Sequence, residues 1–126
     1  LMSDFVELVR FNSAGLVPSI AQDFKSKKVL MLAWMSKESL LRTLEIGSAV
    51  YFSRSRNCLW HKGETSGQYQ LVKEIFLDCD NDALLLFVEQ KKGIACHTGR
   101  PSCFFRKLSK DGWETTEADK VIRGEE

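Results

Sequence analysis

Tyr69-Gln70-Leu71-Val72-Lys73-Glu74-Ile75-Phe76-Leu77-Asp78-Cys79-Asp80-Asn81-Asp82-Ala83-Leu84-Leu85-Leu86-Phe87-Val88-Glu89-Gln90 is the stretch on which the fold turns. Its two arms are rich in β-branched, aromatic and leucine side chains. Between them lies a polar centre of Asp and Asn, residues that favour turns because their short side chains bond nearby backbone. The segment therefore reads as a hairpin, with a long strand over 69–79, a turn at Asn81-Asp82 and a return strand over 83–90. Once this hairpin is set, the rest of the chain organises around strands.

Upstream, residues 17–23 read as a strand with Pro18 near its start, where a missing N–H is tolerated. The nearly continuous apolar run Val29-Leu30-Met31-Leu32-Ala33-Trp34-Met35 has the length of a strand buried on both faces. Ser36 is a plausible N-cap, and Leu40, Leu41 and Leu44 hold helical spacing until Gly47 stops it. Residues 49–52 form the next strand, followed by a polar corner, Ser53-Arg54-Ser55-Arg56-Asn57. Residues 59–61 are short and extended, residues 62–67 a loop, and residues 104–108 and 113–115 a last hairpin. Strands dominate, so the expected class is α+β and mostly antiparallel, a barrel-like β domain capped by one main helix. The polar tail, roughly residues 117–126, is expected to be disordered.

The chain has 126 residues, 44% hydrophobic and 28% charged, with a formal net charge of +1. That length suits one domain with a core that needs no disulfides. No basic tract marks a nucleic-acid footprint, and no apolar run approaches the roughly 20 residues that span a bilayer. The amino end lacks the charged-then-apolar layout of a signal peptide, so the expectation is a soluble, cytoplasmic protein. In that compartment Cys58, Cys79, Cys96 and Cys103 read as thiols or metal ligands before disulfides.

Two groups of residues offer chemistry. Asp78, Asp80 and Asp82 stand at alternate positions, which on a strand share one face and turn Cys79 to the other. Three carboxylates so placed repel one another unless a cation neutralises them, and their hard oxygens suit Mg²⁺. The plainer reading is hairpin-turn chemistry, and a turn can itself present a metal. The second group is Cys96-His97-Thr98-Gly99-Arg100-Pro101-Ser102-Cys103, where Gly and Pro let the loop fold back so that both thiols face one ion. The alternatives are buried cysteines used as small hydrophobes, or a closed zinc site with His97 as a ligand. Cys58 has no partner motif and reads as packing. A site of three thiolates and one vacancy is the pattern of a zinc that activates water. His97 is then the natural proton shuttle, with His61 second. Residues 61–67 gather donors on flexible backbone, as an anion-binding loop does, and Arg54 and Arg56 offer forked contacts to phosphate.

Taken in order, Leu30-Met31-Leu32-Ala33-Trp34-Met35, Tyr51-Phe52-Ser53-Arg54-Ser55-Arg56, Leu59-Trp60-His61-Lys62-Gly63-Glu64-Thr65-Ser66-Gly67, Asp78-Cys79-Asp80-Asn81-Asp82-Ala83 and Cys96-His97-Thr98-Gly99-Arg100 form a combined pattern. Over roughly residues 15–108 the chain closely resembles the phosphoribosyl-AMP cyclohydrolases of histidine biosynthesis. The resemblance implies hydrolytic opening of the adenine ring of phosphoribosyl-AMP between N1 and C6. It implies Cys79, Cys96 and Cys103 as zinc ligands, and Asp78, Asp80 and Asp82 as Mg²⁺ ligands. It further implies a homodimer with shared zinc sites, Cys79 coming from one chain and Cys96 and Cys103 from the other. Arg54, Arg56, Lys62, Thr65 and Ser66 are the expected substrate-binding residues. Relatives often carry a fused pyrophosphohydrolase domain; this chain is short for one, so a single activity is expected.

Three rivals bear comparison. A zinc nucleoside deaminase needs His-x-Glu and Pro-Cys-x-x-Cys, and neither occurs. A thiol redox protein would carry Cys-x-x-Cys, which is also missing. A zinc-stabilised binding module with a closed four-ligand site would unfold on losing its metal and show no turnover.

Overall fold

A computed structural model of the chain describes residues 2–116. A short helix, α1 (Met2–Phe5), precedes β1 (Leu16–Asp23) and β2 (Val29–Ser36). The main helix α2 (Lys37–Ile46) follows, then β3 (Val50–Ser53), β4 (Cys58–His61), β5 (Gln70–Leu77) and β6 (Leu84–Gln90). A 3₁₀ turn (Lys91–Gly93) leads to a separate hairpin of β7 (Arg106–Ser109) and β8 (Gly112–Thr115). The α+β class, with strands dominant and one principal helix, is as the sequence implies. The expected polar tail at 117–126 lies outside the described residues.

Six strands form one sheet in the order β4-β3-β2-β1-β6-β5. Every pairing is antiparallel except that of β1 with β6, which runs parallel from Ser19↔Leu84 to Asp23↔Val88. Pro18 lies ahead of that register, so its missing N–H falls where β6 has not yet joined. The sheet curls until its β5 edge meets the segment entering β3. Val72 N–H donates to Gly47 O at 2.9 Å, and Ala49 N–H donates to Gln70 O at 2.9 Å. An antiparallel bridge joins Ser48 to Leu71 between them. These bonds occupy part of the free β5 edge and make the sheet a half-barrel.

Local chemistry explains the elements. Ser36 caps α2: its hydroxyl accepts from Ser39 N–H at 3.1 Å while Ser39 Oγ accepts from Ser36 N–H at 2.8 Å. Gly47 ends the helix in the left-handed region at φ 73°. Leu40 packs into the barrel interior with Met35, Tyr51, Leu86 and Val88. Burying a side chain of that size contributes about 1.5–3 kcal/mol. Under this apolar layer runs a buried polar chain. Tyr51 hydroxyl donates to Gln70 Oε1 at 2.5 Å, Gln70 Nε2 to Gln90 Oε1 at 2.8 Å, and Gln90 Nε2 to Gln68 O at 3.1 Å. It ties β3, β5, β6 and the loop before β5 together, and its satisfied partners fix one register.

Two sequence expectations need correction here. β2 is not buried on both faces: Val29 and Leu32 remain 42% and 47% exposed. Leu30 between them is buried, and Cys103 N–H donates to its carbonyl at 2.8 Å. Cys58, read as packing, is exposed at the start of β4. Of the helices in the described residues, none is long and apolar enough to cross a membrane.

Candidate active site

The expected strand over 69–79 is shorter than its sequence suggests. β5 ends at Leu77, and residues 78–83 form the turn into β6. Asp78 N–H donates to Ala83 O at 3.1 Å, and Asn81 N–H to Asp78 O at 3.0 Å. Asn81 takes the left-handed conformation at φ 64°, which Asn tolerates better than most residues. The aspartates therefore converge through a turn, not through strand alternation. One oxygen from each of Asp78, Asp80 and Asp82 lies within 4.8 Å of the others. Asp78 Oδ1 also accepts from Asp82 N–H at 3.0 Å, holding the loop closed. Three exposed carboxylates at this spacing fit a hard, six-coordinate cation that keeps several waters.

Beside the turn lies an open cleft of about 490 Å³, lined by Asp80 and Asp82 together with Arg10, Asn12, Pro18 and Trp34. Arg10 N–H donates to Asn81 O at 2.7 Å, which pins the amino-terminal segment to the aspartate turn. The Arg54 guanidinium lies over the Trp34 ring at 4.8 Å. Arg10, Asn12 and Trp34 were not singled out from sequence, because single Arg, Asn and Trp residues far from a motif carry no local signal.

The cysteine loop folds back as its Gly and Pro suggest. Cys96 N–H donates to Arg100 O at 3.1 Å, Gly99 N–H to Cys96 O at 3.0 Å, and Ala95 N–H to Pro101 O at 3.2 Å. Cys103 N–H donates to Leu30 O at 2.8 Å and Ser102 Oγ to Val29 O at 2.8 Å, so β2 anchors the far end. Cys96 and Cys103 lie close enough for each thiol to shift the ionisation of the other. Burial acts most strongly on the Cys96 thiol and would raise its pKa. Bonds from the Thr98 hydroxyl (3.0 Å) and backbone N–H, the Cys103 thiol and the Arg100 charge outweigh it and hold the value below that of an ordinary thiol. Cys103 goes the other way, pushed up to about 11 by burial and then by Cys96. Cys103 retains exposed surface as a residue, so the burial is that of its thiol against the loop. Two thiols brought to one folded loop, one with a lowered pKa, are ligands that suit a soft dication.

Lys62 approaches this group from the 62–67 loop. It is buried, 5% exposed, and its Nζ donates to Ala95 O at 2.7 Å. Burial lowers its pKa, while the nearby Cys103 and Cys96 raise it. Its backbone extends the β3–β4 ladder, since Lys62 N–H donates to Ala49 O at 3.1 Å one step beyond the Val50↔His61 pair. Next to it, His61 Nε2 is 3.2 Å from Ser48 Oγ, with its ring against Tyr69. His97 is exposed on the cysteine loop, Thr65 and Ser66 on the 62–67 loop, and Arg54 and Arg56 on the β3–β4 turn. Cys79 is exposed on the aspartate turn. Among the described residues, the aspartate triad is the only group of three or more His, Cys, Asp or Glu with ligand atoms within 4.8 Å, so Cys79 does not join Cys96 and Cys103 in one chain.

Comparison with known proteins gives a consistent result. The family model for phosphoribosyl-AMP cyclohydrolase matches residues 31–105, more than half of the chain. A phosphoribosyl-AMP cyclohydrolase of Methylobacillus flagellatus is 60% identical over 118 residues, covering 93% of this chain and 91% of the relative. One from Nitrosomonas eutropha is 56% identical, over 93% and 91% of the two chains. One from Granulibacter bethesdensis is 55% identical, over 96% and 94%. Matched across the β-sheet, the aspartate turn and the cysteine loop, the chain belongs to the phosphoribosyl-AMP cyclohydrolase family.

Proposed function

We propose that this chain opens the adenine ring of phosphoribosyl-AMP by hydrolysis between N1 and C6, giving the formimino-carboxamide ribotide of histidine biosynthesis. What carries the reading is the pairing of Cys96 with Cys103 in a chain of this family. Cys96, Cys103 and a Cys79 would hold zinc, and Asp78, Asp80 and Asp82 would hold Mg²⁺. Thiolate-held zinc supplies a Lewis acid that makes water nucleophilic near neutral pH. The chain's own residues do the rest. The water oxygen adds to C6 and its proton passes to His97, with His61 the second candidate. The N1–C6 bond then breaks, N1 takes up a proton, and C6 keeps its amino nitrogen and becomes the carboxamide. Arg54, Arg56, Thr65 and Ser66 would meet substrate phosphates together with the aspartate-held cation. Lys62, the fifth residue expected there, is buried, with its Nζ on Ala95 O.

A homodimer completes the zinc site in this reading, one chain giving Cys79 and its partner Cys96 and Cys103. Two observations support it. Cys79 lies apart from the other two thiols within the chain. The outlying hairpin also leaves Phe104, Leu108 and Trp113 59–69% exposed, apolar surface suited to a second copy. The reading places the enzyme in the cytoplasm, with neither nucleic acid nor membrane as partner.

The test is ring opening by purified protein with its metal quantified. Wild type should turn over and hold about one zinc per chain, as two shared sites per dimer require. Cys96→Ser should lose zinc and activity together; full turnover in that variant would refute the zinc mechanism.

A further inference from the structure

We infer that Lys62 is a positioning residue of the cysteine site, whose buried ammonium balances the negative charge that a thiolate-bound zinc carries. The inference rests on the zinc reading above and concerns a residue that reading does not use. Three thiolates and one dication leave a net charge of −1 in a partly desolvated place. Lys62 is buried, with its Nζ 2.7 Å from the carbonyl of Ala95, the neighbour of Cys96, and 5.8 Å from the centre of the Trp60 ring. An ammonium has three N–H donors. Among the described residues its one hydrogen-bond acceptor is Ala95 O, the carbonyl immediately before Cys96, and no carboxylate pairs with it. A buried cation held by a single carbonyl is costly unless a compensating anion stands beside it. The thiols are the groups placed to provide that charge.

The bond to Ala95 adds a geometric role. It fixes the backbone at the residue before Cys96, as an outer hydrogen bond fixes a ligand's orientation. Lys62 thus couples the barrel seam, through Ala49, to the direction in which Cys96 points.

The experiment uses the full-length protein, stripped of metal and titrated with zinc against a chromophoric chelator, with thermal melts of the zinc-free forms. Lys62→Met keeps the side chain's length and removes the charge; Lys62→Arg keeps the charge. Zinc affinity should fall about 10- to 100-fold in Lys62→Met, the range for loss of an outer partner, and should be largely retained in Lys62→Arg. Zinc-free Lys62→Met loses the bond to Ala95 O as well as the charge, so its melt reports the structural cost separately from zinc affinity. Unchanged zinc affinity in Lys62→Met, or a lower zinc-free melt with affinity per folded molecule intact, overturns the inference and leaves the zinc site standing. A wild type that binds no zinc overturns the site itself. Should Lys62→Met fail to fold, Lys62→Gln carries the same comparison.

Discussion

Replacing Gly63 with alanine probes the loop that holds His61 and Lys62. Gly63 sits at φ 94°, and a Cβ added there would lie 2.4 Å from Tyr69 N and 2.6 Å from both Gln68 C and Tyr69 Cα. All three are backbone atoms next to the buried Gln68–Gln70 network, so no side-chain rotation relieves the contact. A left-handed conformation costs an L-residue about 1–2 kcal/mol. Overpacking against a fixed neighbour adds about 1–3 kcal/mol. The sum, about 2–5 kcal/mol, corresponds to a thermal midpoint lowered by roughly 6–25 °C for a chain of this size. Gly15→Ala is the control. Its φ is 77° but nothing lies within 4 Å of its added Cβ, so it bears only the backbone cost. Melting curves of the two variants, followed by circular dichroism, separate the terms. Zinc content per folded molecule reports whether Lys62 and the cysteine loop moved. A Gly63→Ala protein that melts no lower than Gly15→Ala would refute the argument.

Asp80→Asn removes one of three converging carboxylates. The Mg²⁺ concentration for half-maximal turnover should rise roughly tenfold or more with zinc content unchanged, as metal titration of activity would show. Thr43→Val strips the hydroxyl that donates to Ser39 O and accepts from Val50 N–H at 2.9 Å, joining α2 to β3. Leaving that buried N–H without a partner costs about 1–3 kcal/mol, measurable by urea melts. Asp23, whose carboxylate accepts from Ser26 N–H at 2.8 Å, has a pKa lowered from 3.8 chiefly by that bond. The folded value lies below the unfolded one, so its stabilisation is present above pH 3.8 and is lost as pH falls through the folded value. Wild type should outlast Asp23→Asn in urea near pH about 7, and the gap should narrow as pH falls below about 3.8.

Much of the fold was legible because its signals are local. The Ser36 cap, the leucines of α2 and the Gly47 stop lie within one short window, and the structure reproduces them. The β5–β6 arms were equally clear, but the end of β5 was misjudged. Alternation of Asp78, Asp80 and Asp82 continues a strand-like period into residues whose side chains bond their own turn. The parallel seam between β1 and β6 had no local signature, since nothing in either strand names a partner more than sixty residues away. In the site, the aspartates and cysteines were visible as motifs. Lys62 stood out in the sequence only as part of a Gly- and Ser-bearing stretch, and its contact with Ala95 O is made far along the chain.

The parallel seam also sets an order on how the sheet can assemble. β1 through β4 need only near neighbours and can associate as a meander, each strand pairing with the next. β1 keeps one long side unpaired until residues 84–88 are available. An open strand edge of this kind is a template for wrong pairing between chains. The hairpin closed by the aspartate turn is therefore the piece that ends the exposure, bringing β5 and β6 in together. Side chains suited to holding a cation also form the joint through which the last two of the six strands enter the sheet.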